Sequence, residues 1–304
     1  LVAKAIAAKA IPGCQVLVAK NGKVVYQKSF GYSTYDSSHL VVNTDLYDLA
    51  SMTKILSTNL GMMKLVEENK VSLNGHLHNY LPGIKSSNKK NIIIADLLTH
   101  RAGLSPFIPF YKDIQTVKDL ETSVLSTDST GVFAIPVANH LFLNANYMAT
   151  MKQRILKSEI KNRGKYVYSD LSFYFLKEVL EAQSKTPIDE FVSNTFYKKL
   201  GLNYLGYLPY RKFPMANMMP TENDLSFRKQ LVQGYVHDQT AAMFGGVAGH
   251  AGLFGNANDV AIIMQMLLNK GSYGGEAYFK PETVNLFTAQ YHADSRRGLG
   301  FDKP

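Results

Sequence analysis

Near the start of the chain, the order of apolar and polar residues predicts a β-hairpin. Residues 15–19 form a mostly apolar strand pattern, and Asn21-Gly22 follows, two residues that tolerate the positive φ angles of a tight hairpin turn. Residues 23–28 then supply the partner strand. A short helix over residues 1–10 is predicted ahead of the hairpin.

From Ser51 onward the apolar residues follow a helical period. Ile55, Leu60 and Val66 belong to a series at helical spacing, which predicts an amphipathic helix from Ser51 to about Asn69. Further helices are predicted over 95–99, over 170–183, over 188–200 and up to Leu268, the last with Asn258 and Asp259 able to cap its start.

The order of these patterns predicts the fold class. Strands at the start, helices in the middle and the beginning of a strand at Leu299–Phe301 indicate an α/β (α+β) fold, with an antiparallel sheet formed from both chain ends and flanked by helices. We expect residues 1–50 and 231–304 to form the sheet domain and residues 51–230 to form a mostly helical domain. Since the last strand pattern has only begun at Phe301, we expect the final strands of the sheet to be missing.

Composition and charge exclude several classes of protein. Of the 304 residues, 46% are hydrophobic and 19% are charged, and no apolar run approaches the roughly 20 residues that a membrane-spanning helix needs. The net charge is +9, but the lysines are scattered and no stretch interleaves aromatic with basic residues, so we expect no nucleic-acid partner. The single Cys14 excludes an internal disulfide, and its apolar setting predicts a buried structural thiol.

A Ser-x-x-Lys motif is the strongest candidate for chemistry, although the pattern alone is weak. It occurs five times, at Ser51–Lys54, Ser86–Lys89, Ser87–Lys90, Ser158–Lys161 and Ser226–Lys229. Four of these lie in polar, lysine-rich or irregular stretches, where we expect both side chains to be solvated. A solvated lysine has a pKa near ~10.4 and is a poor base at neutral pH.

The first of the five motifs has a different setting. Ser51 and Lys54 open an apolar helix, and a spacing of three puts serine Oγ and lysine Nζ on one helical face. Burial there would favour a neutral amine that can accept the serine proton, and the helix start suits developing negative charge. The alternative is that Ser51 only caps the helix and Lys54 extends into solvent.

The residues around this motif resemble the superfamily of class C β-lactamases, DD-peptidases and penicillin-binding proteins. The resemblance rests on YDLASMTK from Tyr47, LLTHRAGL from Leu97, YSD from Tyr168 and PGCQVLV from Pro12. The stretch from Val236 to Phe254, with GGVAGHAGLF at its end, is similar to a subfamily of β-lactamase-related serine hydrolases that are fused to family 3 glycoside hydrolases in some bacteria. The resemblance covers essentially the whole chain and implies that Ser51 is the nucleophile.

The resemblance also implies roles for Tyr168 and Asp170. Tyr168 would face Ser51 across the cleft and relay the proton with Lys54, or else it is a buried aromatic residue in a tyrosine-rich segment. Asp170 stands where the family usually has asparagine, and an ionised carboxylate cannot donate a hydrogen bond. Asp170 would therefore disfavour the acyl-amide group of classical penicillins, or it is simply a helix cap.

The third motif of the family, Lys/His-Thr/Ser-Gly, is not found at its expected place. His250-Ala251-Gly252 has a similar pattern, but a helix follows it, so we interpret His250 as a packed or loop-ordering residue and only secondarily as a substrate-binding one. The family's strand with this motif would follow Phe301, and it also supplies the second oxyanion-hole amide. Without that strand the site would be incomplete.

No cofactor and no metal are expected. The chain lacks His-Glu-x-x-His, and its histidines stand apart in the sequence. The prediction is a serine acyl-transfer hydrolase that acts through a Ser51 acyl-enzyme on a small-molecule or cell-wall peptide substrate, namely a β-lactam, a D-Ala-type peptide or a small ester. The alternative is a non-catalytic module that binds peptidoglycan fragments. The resemblance further implies an extracytoplasmic location and a possible fusion to a glycoside hydrolase domain.

Overall fold

The predicted hairpin is present in the computed structural model, which describes residues 1–116 and 123–303. Strands Gly13–Lys20 and Lys23–Gly31 pair in antiparallel fashion, and the register shifts once, next to the turn, at Val18/Ala19. Asn21 and Gly22 take φ angles of 51° and 73°, the left-handed pair that a two-residue turn requires. A helix over Val2–Ala7 precedes the hairpin, as expected.

The helix predicted from Ser51 is present but is not a regular α-helix throughout. It begins as a 3₁₀ turn at Ala50–Met52, continues as a π-helical segment over Lys54–Asn59 and becomes α-helical over Leu60–Glu67. We call residues 50–67 the Ser51 helix. Its π segment is almost wholly buried and carries several polar side chains. Such wide turns occur often at functional sites.

A small central sheet joins three distant parts of the chain. Its strands lie in the order Tyr47–Asp48, Leu253–Gly255 and Gly206–Tyr207, and all neighbours are antiparallel. The Ser51 helix follows the first of these strands, and a glycine-rich loop at residues 245–252, the site loop, leads to the second. The sheet therefore brings the site loop beside the start of the Ser51 helix.

The remaining elements surround this centre. Two hairpins pair Pro220–Asp224 with Gln230–Gln233 and Ser272–Tyr273 with Glu276–Ala277, and a three-stranded sheet has the order Leu125–Ser126, Leu141–Asn144 and Phe133–Ala138. Within residues 1–116 and 125–303, the other α-helices are Leu77–Tyr80, Ile94–Leu98, Phe110–Thr116, Tyr147–Lys157, Asp170–Ser184, Ile188–Val192, Gln239–Met243, Ala257–Leu268 and Pro281–Thr288. Mixed helices and antiparallel sheets confirm the expected fold class.

Three local expectations differ from the structure. The helix ending at Leu268 is capped by Asn256, whose side chain accepts a hydrogen bond from the Asp259 N–H at 2.9 Å, and not by Asn258 or Asp259. The helix from Ile188 is α-helical only to Val192 and then π-helical to Tyr197. Cys14 is only partly buried, which nonetheless raises the pKa of its thiol.

The strand expected at Leu299–Phe301 is absent, so that prediction was wrong. The Leu299 N–H donates to the Phe287 carbonyl, and the Gly300 N–H donates to the Leu98 carbonyl, each at 2.9 Å. These hydrogen bonds attach the segment to the ends of two helices, not to a sheet. Its apolar residues are buried by helix packing, which local pattern alone does not distinguish from a strand.

The hydrophobic core lies between the Ser51 helix and helix Asp170–Ser184. Gly61 allows their close approach, since a Cβ atom there would lie 2.2 Å from Leu180 Cδ1. Leu60, Phe175 and Leu176 are among the buried side chains, and each such burial stabilises the fold by about 1.5–3 kcal/mol. In the described ranges, no helix combines the length and apolar character that crossing a membrane requires.

Gly249 is predicted to be intolerant of a side chain, because it lies where the site loop touches helix Asp170–Ser184. A Cβ atom there would come within 2.2 Å of the Phe173 carbonyl oxygen. We expect Gly249→Ala to lower the free energy of unfolding by about 1–3 kcal/mol, measured by urea denaturation. Gly206→Ala is the matched control, because a Cβ atom added there would meet no other atom within 4 Å and the φ of Gly206 is ordinary. Equal stability of the two variants would contradict this packing.

Candidate active site

Ser51 lies at the exposed start of its helix, and the backbone before it is held on both sides. The Leu49 N–H donates to the Leu253 carbonyl at 2.9 Å. The Asp48 carboxylate accepts from the Ala50 N–H at 2.8 Å and from the His237 N–H at 2.6 Å. Ala50 has a left-handed φ of 45°, so this junction is bent sharply. The bend directs Ser51 out of the core while the residues after it turn inward.

Lys54 is buried, and its ammonium group has three oxygen neighbours. Its Nζ lies 2.9 Å from Ser51 Oγ, 2.7 Å from Asp170 Oδ1 and 3.3 Å from the His250 carbonyl oxygen. The side chain is only 4% exposed, so it does not extend into solvent as the alternative interpretation required. Three N–H donors facing three acceptors account for the whole hydrogen-bonding capacity of an ammonium group.

Tyr168 contacts Lys54 through the face of its ring. The lysine Nζ lies 4.8 Å from the ring centroid, a cation–π distance, and the tyrosine is 40% exposed. This contact places the Tyr168 ring beside Lys54. The ring is not buried, so the interpretation as a packed aromatic residue does not describe it.

His100, which was not among the predicted site residues, holds the segment that carries Tyr168. Its Nδ1 accepts from the Ser169 N–H at 3.1 Å, its carbonyl accepts from the Val167 N–H at 2.9 Å, and its ring centroid lies 4.5 Å from that of Tyr168. Burial, together with the charges of Arg297 and Lys54, lowers the pKa of His100 to about 3. The imidazole is therefore neutral, with Nδ1 as acceptor.

Asp170 is the first residue of helix Asp170–Ser184, where the helix dipole favours a negative charge. Its N–H donates to the Pro106 carbonyl at 2.8 Å, and its carboxylate pairs with Lys54. The structure thus gives Asp170 a partner that neither sequence interpretation named, since it is neither a simple cap nor free to meet a ligand unpaired.

His250 lies in the same cluster, although its residue number is far from that of Lys54. It is buried, and its Nε2 lies 3.0 Å from Asp238 Oδ1 while its carbonyl faces Lys54. Asp238 was missed by the sequence analysis, although it lies within a stretch that carries the resemblance. Burial raises its pKa, but hydrogen bonds from His250 and Ala241 and the nearby Lys54 charge outweigh that effect and hold the pKa at about 2.

Asp170, Asp238 and His250 bring their side-chain oxygen and nitrogen atoms within 4.8 Å of one another. Sequence spacing did not indicate this cluster, and such a set resembles the donors that hold divalent ions. Lys54 Nζ lies 2.7 Å from Asp170 Oδ1, so the positive charge beside these three residues comes from a lysine.

One of the other Ser-x-x-Lys motifs also has a buried lysine, contrary to expectation. Lys89 is fully buried, and burial lowers its pKa to about 8. Its Nζ donates to Asn88 Oδ1 at 2.8 Å and to the Ser158 carbonyl, so it binds the end of helix Tyr147–Lys157. Ser86 is exposed. A lowered lysine pKa alone therefore does not identify an active site.

Comparison with known proteins identifies the family of the chain. The sequence model of the family described as Beta-lactamase matches residues 1–302. The chain belongs to the beta-lactamase family. A protein of Salmonella gallinarum named "Putative D-alanyl-D-alanine carboxypeptidase" is 32% identical over 315 residues, which cover 95% of this chain and 68% of that protein.

Solved structures of other proteins have the same fold. An octameric penicillin-binding protein homologue from Pyrococcus abyssi superposes with a TM-score of 0.69 at 19% identity, covering 98% of this chain and 62% of that one. EstCE1, a hydrolase with promiscuous acyltransferase activity, superposes with a TM-score of 0.68 at 20% identity, covering 98% of this chain and 80% of that one. The predicted family and enzyme class, a serine hydrolase of the β-lactamase type, are confirmed at the level of the family.

The buried neutral state of His100 predicts a pH-dependent stability. Because the folded protein does not protonate His100 above about pH 3 while the unfolded chain does so below about pH 6.5, stability is lost as pH falls. The loss is about 1 kcal/mol per pH unit. His100→Asn keeps an acceptor and tolerates the left-handed φ of 59° but does not titrate.

We therefore expect the difference in unfolding free energy between wild type and His100→Asn to shrink between pH 6.5 and pH 4, as measured by urea denaturation at each pH. A difference that is constant over this range would show that His100 protonates as readily in the folded protein as in the unfolded chain.

Proposed function

We propose that this chain is a serine acyl-transfer hydrolase with Ser51 as the nucleophile, Lys54 as the proton acceptor and Tyr168 as their partner in proton transfer. The observation that carries the proposal is the 2.9 Å contact between Ser51 Oγ and the Nζ atom of a buried lysine. Ser51 is exposed to an incoming substrate, while the amine behind it is shielded from water. This is the arrangement that activates a serine hydroxyl without a histidine.

The reaction takes two steps. In the first, Ser51 Oγ attacks the carbonyl carbon, its proton passes to the neutral amine of Lys54, and the bond to the leaving group breaks as that group takes a proton. The Ser51 backbone amide lies at the helix start, where it would stabilise the oxyanion. In the second step, water attacks the acyl carbon while the Lys54 and Tyr168 pair accepts its proton. The ester bond to Ser51 Oγ then breaks, the acid product leaves, and the proton returns to Ser51 Oγ.

The Asp170 carboxylate opposes the first step of this reaction. A carboxylate 2.7 Å from Nζ stabilises the ammonium form of Lys54, whereas the first step needs the amine. The benefit of this arrangement is geometric, since the ion pair holds Nζ beside Ser51 Oγ.

The substrate class is proposed from the relatives and from Asp170. The Salmonella relative is named for a D-alanyl-D-alanine carboxypeptidase activity, and EstCE1 is described as a hydrolase with acyltransferase activity. An ionised Asp170 accepts hydrogen bonds but donates none, so it does not suit the amide carbonyl of a penicillin acyl group. We propose D-Ala-type peptides and small esters, rather than penicillins, as the preferred substrates. With a D-Ala-type peptide as substrate, we also propose an extracytoplasmic location. Fusion to a glycoside hydrolase remains a prediction from the resemblance.

A non-catalytic peptidoglycan-fragment binding module is the second candidate. The ion pair between Lys54 and Asp170 favours it, because a lysine held as an ammonium group is no base. The two candidates differ in one observable property, which is whether Ser51 forms a covalent adduct.

Intact-protein mass spectrometry after incubation with a fluorophosphonate tests this directly. We expect one adduct on wild type, none on Ser51→Ala, and an undiminished adduct on Ser86→Ala, the matched control from a second Ser-x-x-Lys motif with an exposed serine. A penicillin should label Ser51 more slowly because of Asp170. If no probe labels wild type above pH 8, the binding module is the better description.

A further inference from the structure

We propose that Asp238 and His250 form a positioning pair that fixes the site loop against Lys54 and thereby keeps the amine beside Ser51. The inference deepens the proposed function and rests on it for its catalytic meaning. The His250 backbone carbonyl contacts Lys54 Nζ, and the two side chains act through that contact on the position of Lys54.

The site loop has little stiffness of its own. Gly245 and Gly246 have φ angles of 79°, and Gly252 has a φ of 115°, conformations that glycine adopts because it has no side chain. A loop with three such residues needs tethers to keep one conformation. The His250 side chain supplies one such tether, because it is buried and its Nε2 lies 3.0 Å from the Asp238 carboxylate.

Asp238 is itself rigidly held. It caps helix Gln239–Met243, with Oδ1 accepting from the Ala241 N–H at 2.7 Å and facing His250 Nε2 at 3.0 Å. One carboxylate oxygen thus connects the start of this helix to the far end of the site loop. The site loop is therefore anchored before its start by helix Gln239–Met243 and near its end by the side chain of His250.

Of three successive carbonyl groups in the loop backbone, two face the Ser51 helix and one faces the strand residue Tyr207, whose hydroxyl also bonds to Ser57 of that helix. The Ala248 carbonyl accepts from Tyr207 Oη at 3.1 Å, the Gly249 carbonyl accepts from Thr58 Oγ1 at 2.7 Å, and the His250 carbonyl lies 3.3 Å from Lys54 Nζ. Together these contacts fix the position of the site loop along the Ser51 helix. Rotating His250 out of its place would withdraw the third carbonyl and release one of the three donors of Lys54.

The electrostatic surroundings of Lys54 give the pair a second effect. Asp170 and Asp238 are the carboxylates near its Nζ, while Ser51, the Tyr168 ring and the His250 backbone contribute neutral groups and His100 is neutral. The His250 imidazole lies 3.0 Å from the Asp238 carboxylate and within 4.8 Å of the Asp170 carboxylate. The Asp238 charge therefore adds to that of Asp170 in stabilising the ammonium form.

The pair predicts a change at Lys54 that can be measured without any catalytic activity. In Asp238→Asn the ammonium loses a nearby charge and the tether is weakened to a neutral amide contact, so Lys54 should react faster with an amine-acylating N-hydroxysuccinimide ester. We expect a threefold to tenfold faster modification of Lys54 at pH 7.5, measured by peptide mass spectrometry, with the rate at buried Lys89 unchanged. Asp259→Asn is the matched control, because Asp259 also lies in the first turn of a helix and accepts the Tyr204 and Leu205 N–H groups, with no contact to Lys54.

Two further variants separate positioning from general loss of structure. His250→Gln keeps an N–H that can reach Asp238 and should retain most of the protection of Lys54, whereas His250→Ala should lose it. In the fluorophosphonate reaction, Asp238→Asn should lower the maximal labelling rate of Ser51 at least about tenfold.

The outcomes are distinct. Unchanged Lys54 modification in Asp238→Asn and His250→Ala, or an equal change in Asp259→Asn, overturns the positioning pair. Failure of wild type to label at Ser51 overturns the proposed function alone, because the Lys54 measurement does not depend on it.

Discussion

The structure of the site depends on one constraint, which is that the ammonium group of Lys54 is buried and has to be matched by oxygen atoms. Removing one partner of a buried ion pair costs on the order of 3–5 kcal/mol, because the remaining charge is left without compensation. Here the three oxygens come from residues 51, 170 and 250, which lie in separate parts of the chain. The fold that satisfies Lys54 is therefore also the fold that assembles the candidate active site.

The elements around Lys54 can be understood as supports for those three oxygens. The central sheet sets the site loop beside the Ser51 helix, and the π-helical segment presents Thr58 and Lys54 to the loop carbonyls. On the other side, His100 holds the backbone at Ser169, directly before Asp170. The loop and the His100 contact thus fix opposite sides of the same cation.

Local chemistry made part of this predictable from the sequence. Asn21-Gly22 indicates its hairpin because few residue pairs accept two positive φ angles. Ser51 stands out among five similar motifs because an apolar helix begins at it, and the family resemblance adds Tyr168. The same local reasoning was wrong at Leu299–Phe301, where apolar residues pack on helices, and at Lys89, where a polar sequence context conceals a fully buried amine.

The remainder depends on contacts between distant residues and has no local signal. Nothing in the spacing of Asp238 and His250 indicates that their side chains meet, or that a backbone carbonyl of residue 250 faces residue 54. The π-helical segment Lys54–Asn59 could not be predicted either, because its apolar pattern resembles that of an α-helix. Asp170 was singled out only as a departure from the family pattern, and its pairing with Lys54 became apparent once the two helix starts were seen together.

The central claim is that Lys54 and Asp170 stabilise each other, and a double-mutant cycle on the unfolding free energy measures this most directly. Wild type, Lys54→Met, Asp170→Asn and the double variant would be compared by urea denaturation at pH 7. We expect the two single effects to be non-additive by at least about 1 kcal/mol, because each substitution leaves the other charge unpaired. Additivity within about 0.5 kcal/mol would contradict the account, since Lys54 would then be held beside Ser51 by something other than Asp170.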